Sequence, residues 1–339
     1  MSWAPKHPLL TARLASRHAC FILGLLLASA TTTSARVLVT RGTYHGWADA
    51  FSLRNGRVEV VIVPAIGRVM QFGFIGEEGV LWENRTLDGQ VADIRLPVWA
   101  AKDWVNFGGD KTWPAPEAAW SGFTGRKGWR PPPGFDGASA LSSLEGTTVV
   151  LTSQIDPFYG VQARRRIQLH PRRPELTITT EYELKQGEPA QLGIWVITQL
   201  KTPEGLFART PKKSVFPNGY VVFSRDVPPT LSLTNRLLAL TRTPTNAYKI
   251  GLDADALLWV GAKHTLLIES PRESGAPYPD QGSNTEIYTS PDPLPYIELE
   301  TLGPLRALKV GGRIVHRNIY LLDHRRKPTP AEEAAAILR

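Results

Sequence analysis

Glu-Leu-Thr-Ile-Thr-Thr-Glu-Tyr-Glu-Leu, residues 175–184, is the stretch of sequence that decides the fold class. Its apolar or aromatic residues stand at positions 176, 178, 182 and 184 and alternate with threonine and glutamate. A period of two residues is typical of an antiparallel strand with one face on a core and the other in solvent. The stretch therefore predicts a half-buried β-strand.

Short strands of the same kind recur along most of the chain. We predict them at 58–63, 69–75, 148–155, 161–169, 193–200, 220–223, 256–260, 265–269, 296–301 and 313–322. Helical periodicity is nearly absent before residues 330–338, where an Ala/Glu-rich stretch after a proline predicts a short terminal helix. About a dozen strands without crossover helices predict an all-β fold, a large antiparallel sandwich. We expect one domain at 36–325 and a C-terminal tail at 326–339.

The segment 96–136 interrupts this pattern, because it is crowded with tryptophan, proline and glycine. A loop of this length inside a compact domain is usually functional or disordered, and its tryptophans argue against disorder. We therefore expect a functional loop there.

Residues 1–35 have the order of a secretory signal. The segment has no acidic residue, and its first half carries the basic residues Lys6, Arg13 and Arg17. An apolar run follows at 19–30, with small-residue exits at 28–30 and 33–35. The run has about a dozen residues, fewer than the roughly 18 to 20 that a membrane-spanning helix needs. We expect cleavage, no membrane insertion afterwards, and a secreted or periplasmic protein. An uncleaved membrane anchor is the alternative.

The composition excludes several classes of site. Cys20 is the only cysteine and leaves with the signal, so we expect no disulfide, thiolate zinc site or cysteine nucleophile. The formal net charge of +8 falls to about +5 in the mature chain, with basic and acidic residues mixed along it. No basic element with interleaved aromatics is present, so we expect no nucleic-acid partner.

Several strings of residues together resemble one known family. They are Asn55-Gly56-Arg57-Val58-Glu59-Val60, Val63-Pro64-Ala65-Ile66-Gly67-Arg68-Val69, Leu81-Trp82-Glu83-Asn84, Asn106-Phe107-Gly108-Gly109-Asp110-Lys111-Thr112-Trp113-Pro114-Ala115-Pro116-Glu117, Tyr278-Pro279-Asp280, Asn284-Thr285-Glu286-Ile287-Tyr288-Thr289 and Tyr296-Ile297-Glu298-Leu299-Glu300. They are similar to the hallmarks of the uncharacterised DUF4380 family. The resemblance implies a galactose-mutarotase-like β-supersandwich from about residue 44 to residue 323. One departure is Ile66, where the family more often has a second glycine before Arg68.

The segment around Asp110 suits a carbohydrate ligand. Its two glycines let a ligand approach the backbone closely, and Asp110 and Lys111 offer an acceptor and a donor for hydroxyls. Trp113 offers an apolar face for the C–H side of a pyranose ring. Further tryptophans that could widen this platform are Trp99, Trp104, Trp120 and Trp129. The alternative is an ordinary prolyl loop with buried core tryptophans.

Glu298 and Glu300 form a second constellation. Carboxylates two residues apart on a strand share one face, so both could point into a concave sheet. Leu299-Glu300-Thr301, followed by Leu308 and Gly311-Gly312, is similar to the stretch of aldose 1-epimerases that carries their catalytic glutamate. The resemblance implies that Glu300 is the general base. Two exposed carboxylates on an edge strand are the alternative.

A mutarotase also needs an acid for the ring oxygen, and the Asn-His-x-Tyr context that supplies it in those enzymes is missing here. Lys111 or His45 is the candidate acid. The mature histidines lack metal-ligand spacing, so we expect no metal and no cofactor. The oxygen-rich residues 280–286 could hold calcium, but a polar turn fits their spacing better. Further substrate-binding candidates are Arg68, Asn106, Asn284, Glu286 and Glu298.

Three functions remain open from the sequence. The first is an exported enzyme that acts at the anomeric centre of a sugar. The second is a non-catalytic carbohydrate-binding protein of the cell envelope that uses the same site. The third is a structural or interaction protein that only retains the fold, because one fold hosts many chemistries.

Overall fold

The computed structural model describes residues 36–92, 105–125, 129 and 131–339. The predicted signal, including Cys20, lies outside the described residues, as do Trp99 and Trp104. Within the described residues the chain forms 21 strands and two short α-helices.

In chain order the strands are β1 (Leu38–Tyr44), β2 (Trp47–Arg54), β3 (Val58–Val63), β4 (Arg68–Phe74), β5 (Asp110–Ala115), β6 (Leu141–Glu145), β7 (Thr148–Ile155), β8 (Val161–Leu169), β9 (Glu175–Leu184), β10 (Ala190–Lys201), β11 (Gly205–Arg209), β12 (Val221–Val222), β13 (Ser232–Thr234), β14 (Leu237–Leu240), β15 (Tyr248–Leu252), β16 (Ala256–Val260), β17 (His264–Glu269), β18 (Thr285–Thr289), β19 (Tyr296–Leu302), β20 (Arg306–Leu308) and β21 (Arg313–His324). The helices are α1 (Trp120–Thr124) and α2 (Pro330–Ile337). Short 3-10 turns cover Pro64–Ile66, Arg85–Leu87, Glu117–Ala119 and Asp280–Gly282.

These strands build two antiparallel sheets. The first has 11 strands in the order β1-β2-β3-β4-β5-β10-β19-β18-β15-β12, with β20 paired to β10. The second has 10 strands in the order β13-β14-β11-β16-β17-β21-β9-β8-β7-β6. The prediction of an all-β antiparallel sandwich is confirmed.

A continuous apolar core lies between the sheets. It includes Phe51 and Leu299 from the first sheet and Val149 and Leu266 from the second. In β9 every second residue is buried and the residues between them are only partly buried. The alternation in residues 175–184 thus reflects one face on this core, and burial of such apolar area contributes about 25 cal/mol per Å².

The expectation of a loop throughout 96–136 is wrong for residues 110–115. They form β5, which pairs with β10 in the middle of the first sheet. Each residue of β5 is buried, because both faces of the strand are covered. A strand buried on both faces shows no alternation of apolar and polar residues, so its sequence lacks the signal that identifies half-buried strands.

The C-terminal segment also packs against the domain. Thr329 caps α2 with a capping box to Glu332, and Ala334 and Leu338 join an apolar cluster with Phe207 of β11. In the described part of the chain, no helix has the length and apolarity to cross a membrane.

Candidate functional site

One face of the first sheet carries polar and aromatic side chains from β5, β10, β19, β18 and β15, which lie side by side. The register pairs Trp113 with Trp195, Glu300 with Glu286, Glu298 with Tyr288, and Tyr288 with Lys249. Directly paired residues project from the same face of a sheet. Thr112 and Thr301, which alternate with these residues, bond to Tyr182 and His316 of the second sheet. The face with the paired residues is therefore turned away from the second sheet.

This face holds a cleft that consists of two adjoining cavities. The smaller has a volume of about 380 Å³, and the larger has a volume of about 490 Å³. Glu117, Lys249 and Tyr288 line both of them. Volumes of this size fall within the range of small-molecule sites.

Aromatic side chains form the apolar wall of the smaller cavity, namely Trp113, Trp129, Trp195, Tyr288 and Tyr296. The ring centroid of Trp113 lies 5.4 Å from that of Trp195 and 5.8 Å from that of Trp129, with edge-to-face geometry. Trp129 is 40% exposed, whereas Trp113 and Trp195 are buried. The wall therefore combines rigid indoles with one indole that is open to solvent.

Lys249 links the carboxylates at the base of the cleft. Its Nζ lies 2.8 Å from Oε2 of Glu286 and 3.2 Å from Oε2 of Glu300. It also lies 4.3 Å from the ring centroid of Trp195, whose Nε1 donates to Oε2 of Glu300 at 2.7 Å. Burial alone would lower the pKa of Lys249, but Glu286 and Glu300 hold it well above its ordinary value. The two carboxyl groups therefore favour the charged form of Lys249.

The surrounding carboxyl groups hold their protons more tightly than usual. Burial, followed by the charge of Glu300, raises the pKa of Glu298 to about 7. Burial also raises the pKa of Glu286 well above its ordinary value, and that of Glu117 and Asp280 by less. Glu298 is therefore placed to give or take a proton near neutral pH.

The raised pKa of Glu298 predicts a pH-dependent stability. The pKa of Glu298 is about 7 in the folded protein and 4.5 in the free residue. Its stabilising contribution to the free energy of unfolding is therefore complete below pH 4.5 and is lost as the pH rises through about 7. The difference corresponds to about 3 kcal/mol. Urea denaturation should give a free energy of unfolding that declines less between pH 5 and pH 8 in Glu298→Gln than in the wild type. Glu181→Gln, on β9 of the second sheet, is the control and should follow the wild type; equal declines in all three proteins contradict the assignment.

Comparison with solved structures shows which fold this is. A candidate aldose 1-epimerase from Klebsiella pneumoniae has a TM-score of 0.57 at 9% identity, over 88% of this chain and 85% of that chain. A galactose mutarotase related enzyme from Lactobacillus acidophilus has a TM-score of 0.53 at 11% identity, over 83% of this chain and 98% of that chain. The chain has the galactose-mutarotase-like fold. No family model and no curated protein matches the sequence.

The galactose-mutarotase-like fold brings Trp113, Glu298, Glu300 and Glu286 into the cleft, as the preceding contacts show. Glu300 and Glu298 lie on β19, a buried strand in the middle of the first sheet and not at its edge. The alternative of two exposed edge carboxylates is therefore excluded.

Lys111 and Arg68 are buried near Trp113 and are not among the described residues that line the two cavities. Nζ of Lys111 lies 3.9 Å from the ring centroid of Trp113 and 3.7 Å from Oδ1 of Asp136. Oδ1 of Asp136 also accepts from Arg68 at 2.8 Å and from Nε1 of Trp113 at 3.1 Å. Burial, opposed by Asp136, lowers the pKa of Lys111 to about 8. This cluster holds the Trp113 indole in place.

Asp110 lies on the opposite face of β5 from Trp113, so the structure does not bring it into the cleft. Its carboxylate accepts from Arg165 of β8, and its Oδ2 accepts from Thr198 and Tyr320, both at 2.7 Å. Side chains alternate along a strand, so Asp110 and Lys111 necessarily point to opposite faces. The expectation that Asp110 binds substrate is corrected: it joins the two sheets.

The two asparagine candidates stabilise local backbone outside the cleft. Oδ1 of Asn106 accepts from the amide of Gly108 at 3.3 Å. Nδ2 of Asn284 donates to the carbonyl of Ala254 at 2.8 Å, and its Oδ1 accepts from Arg272 at 3.1 Å. Neither asparagine lines the described walls of the cleft.

His45 lies in the turn between β1 and β2, away from the described walls of the cleft. Its Nδ1 is 2.9 Å from Arg85, and its Nε2 is 3.7 Å from Oε2 of Glu83. The structure therefore does not place His45 where it could protonate a sugar in the cleft.

Sequence reasoning missed Lys249, Trp195, Tyr288, Tyr296 and Glu117 as cleft residues. Lys249 is a single basic residue in a five-residue strand, which on its own suggests a solvated position. Trp195 falls in a predicted strand but gives no sign of the face it occupies. Only the pairing of five strands assembles these residues into one wall.

Proposed function

We propose that this protein is a mutarotase-like enzyme that binds a pyranose sugar in the cleft and interconverts its anomers. The main support for this proposal is the environment of the Glu300 carboxylate. Oε2 is held by Trp195 and Lys249, whereas no hydrogen-bond donor among the described residues reaches Oε1. A buried acceptor without a donor costs about 1–3 kcal/mol. A sugar hydroxyl bound there would satisfy it.

The acid–base chemistry follows from two carboxyls on one strand. Glu300 accepts the proton of the anomeric hydroxyl, and the C1–O5 bond breaks as the C1=O1 bond forms. Glu298, whose pKa of about 7 keeps a large fraction protonated at neutral pH, supplies a proton to the ring oxygen. The open-chain aldehyde then rotates and closes by the reverse steps. General acid–base catalysis of this kind typically contributes about 10²- to 10⁴-fold to a rate.

Glu298 takes the acid role that the sequence assigned to Lys111 or His45. The carboxyl groups at positions 298 and 300 start from Cα atoms about 6.6 Å apart, because a strand rises about 3.3 Å per residue. That separation allows one sugar ring to reach both groups. Lys111 is buried against the Trp113 ring, and neither it nor His45 lines the described walls of the cleft.

The charge of the cleft favours a neutral or cationic sugar. Among the described residues, five carboxyl groups line the cleft, those of Glu117, Asp280, Glu286, Glu298 and Glu300, against two basic side chains, Lys249 and Arg225. A carboxylate on the ligand would be a further negative charge beside these groups, whose raised pKa values show that negative charge is already disfavoured there. We therefore expect neutral hexoses and hexosamines to bind better than uronic acids.

In this function the protein acts outside the cytoplasm, because the basic start, short apolar run and small-residue exits of residues 1–35 describe an export signal. N-terminal sequencing of the mature protein should then start between residues 31 and 37. The Gly-Gly-Asp-Lys-Thr-Trp-Pro string supports placing the chain with the DUF4380 family.

The test measures anomer exchange and binding separately. Saturation-exchange NMR should detect faster interconversion of glucose, galactose or glucosamine anomers in the presence of the protein, with glucuronate as the disfavoured ligand. Calorimetry on the same sugars reports binding. Binding without exchange would leave a non-catalytic carbohydrate-binding protein, and absence of both signals would remove a carbohydrate function.

Trp129→Ala should weaken sugar binding by about 2- to 10-fold, because the ligand loses an aromatic face. Trp129 is the suitable position, since it lines the cavity and is 40% exposed, so its truncation disturbs the core less than that of Trp113. Leu141→Ala, at an exposed position on β6, is the matched control and should bind like the wild type. Calorimetric affinities that are equal in both variants would place the sugar elsewhere.

A further inference from the structure

Two histidines that lie far apart in the sequence are neighbours at one end of the second sheet. His264 is the first residue of β17 and His324 is the last residue of β21. The register of the two strands pairs them directly. Cβ atoms of directly opposed residues in an antiparallel pair lie about 4.5–5.5 Å apart. Both imidazoles therefore project from the same face.

Glu77 completes the group from the other sheet. It lies in the turn after β4, and its Oε2 is 2.9 Å from Nε2 of His264. One ligand atom from each of Glu77, His264 and His324 lies within 4.8 Å of the other two. In the described part of the chain, these three side chains are the group of potential metal ligands whose atoms lie this close together.

These distances are close to those of a tetrahedral metal site. Zinc binds nitrogen and oxygen ligands at about 2.0–2.2 Å, which separates two tetrahedral ligands by about 3.4 Å. Glu77 and His324 are exposed, so small rotations of their side chains suffice to reach that separation. The required separation of about 3.4 Å lies between the 2.9 Å distance from Glu77 to His264 and the 4.8 Å limit that holds for all three ligand atoms.

The surroundings hold the imidazoles in place and leave an approach for an ion. The ring of Phe74 stacks on His324 at 4.0 Å and lies 5.3 Å from His264. A cavity of about 510 Å³ opens beside Glu77 and His264. Two lysines line the described walls of this cavity, Lys201, whose charge is offset by Glu78, and Lys263.

We infer that Glu77, His264 and His324 form a binding site for a divalent transition-metal ion, with Zn²⁺ as its occupant. Two imidazoles and one carboxylate are a donor set that suits zinc and leave a fourth position for water. Because Glu77 follows a strand of the first sheet and the histidines belong to the second, a bound ion would tie the two sheets together. The site is separate from the cleft and does not depend on the proposed sugar chemistry.

Zinc titration of tag-free protein by calorimetry tests this site. We expect one equivalent of Zn²⁺ to bind, and His324→Ala and Glu77→Gln each to weaken binding about tenfold or more. Glu59→Gln, a partly buried carboxyl on β3 of the first sheet, and His170→Ala, in a turn of the second sheet, are the matched controls and should bind like the wild type. Zinc should also raise the melting temperature of the wild type and of both controls, but not that of His324→Ala.

NMR of the histidine ring protons gives a readout that does not require a change in stability. Sub-stoichiometric Zn²⁺ should shift the ring signals of His264 and His324 and leave that of His170 unchanged. Wild-type protein that binds no zinc, or zinc affinity that is unchanged in both His324→Ala and Glu77→Gln, overturns the site.

Discussion

Replacement of Glu300 by glutamine should slow protein-catalysed anomer exchange by about 10²- to 10⁴-fold, the typical loss when a general base is removed. Glutamine keeps the shape of the side chain and an oxygen that can accept from Nε1 of Trp195, which is now 2.7 Å from Oε2. Lys249 keeps Glu286 as its partner at 2.8 Å. The fold and most of the sugar contacts should therefore survive while the proton acceptor is lost.

Saturation-exchange NMR measures the rate, and calorimetry on the same sample measures affinity. Glu181→Gln is the matched control, because Glu181 lies on a strand of the second sheet and pairs with Arg313 at 3.6 Å. It should retain the wild-type exchange rate. An exchange rate in Glu300→Gln within about threefold of the wild type would remove Glu300 from the role of base. Glu298→Gln should also slow exchange, because Glu298 is the proposed acid; if it alone slowed exchange, Glu300 would have no part in the proton transfers.

The fold class was predictable because most strands have one face on the core. In β9 and β8 the buried and less buried residues alternate, which the sequence displays directly. In β5 this signal is lost, since all of its residues are buried and it contains a buried lysine, an aspartate and a proline. The charge of Asp110 is paired with Arg165 and that of Lys111 with Asp136, and both partners are distant in the sequence. A single sequence carries no local sign of such compensation.

Four cleft residues, Trp113, Glu286, Glu298 and Glu300, were predictable from the sequence. Glu298 and Glu300 share a face because they are two residues apart, and that inference needs only the period of a strand. Lys249 reaches Glu300 through the pairing of β15 with β18 and of β18 with β19. Asp110 was assigned to the wrong face because its segment was interpreted as a loop, where alternation does not apply.

The reassigned role of Asp110 predicts a large loss of stability when its carboxylate is removed. Arg165 is 3% exposed and donates to both the carboxylate and the carbonyl of Asp110. In Asp110→Ala that guanidinium stays buried without its counterion, and the hydroxyls of Thr198 and Tyr320 lose an acceptor at 2.7 Å. Breaking a buried ion pair on one side typically costs about 3–5 kcal/mol. Urea denaturation should show a loss of this size.

Matched variants separate this structural role from a role in binding. Glu59→Ala removes the partner of Arg54 in a partly exposed pair at 2.9 Å, and its cost should stay below about 1 kcal/mol. The double variant Asp110→Leu, Arg165→Met removes both charges, so it should lose less stability than the sum of its two single variants. Asp110→Asn that still folds should bind sugar like the wild type, because position 110 faces the second sheet and not the cleft. Additive losses in the double variant would mean that the Asp110–Arg165 pair does not stabilise the fold, and a sugar affinity lowered in folded Asp110→Asn would return Asp110 to the binding site.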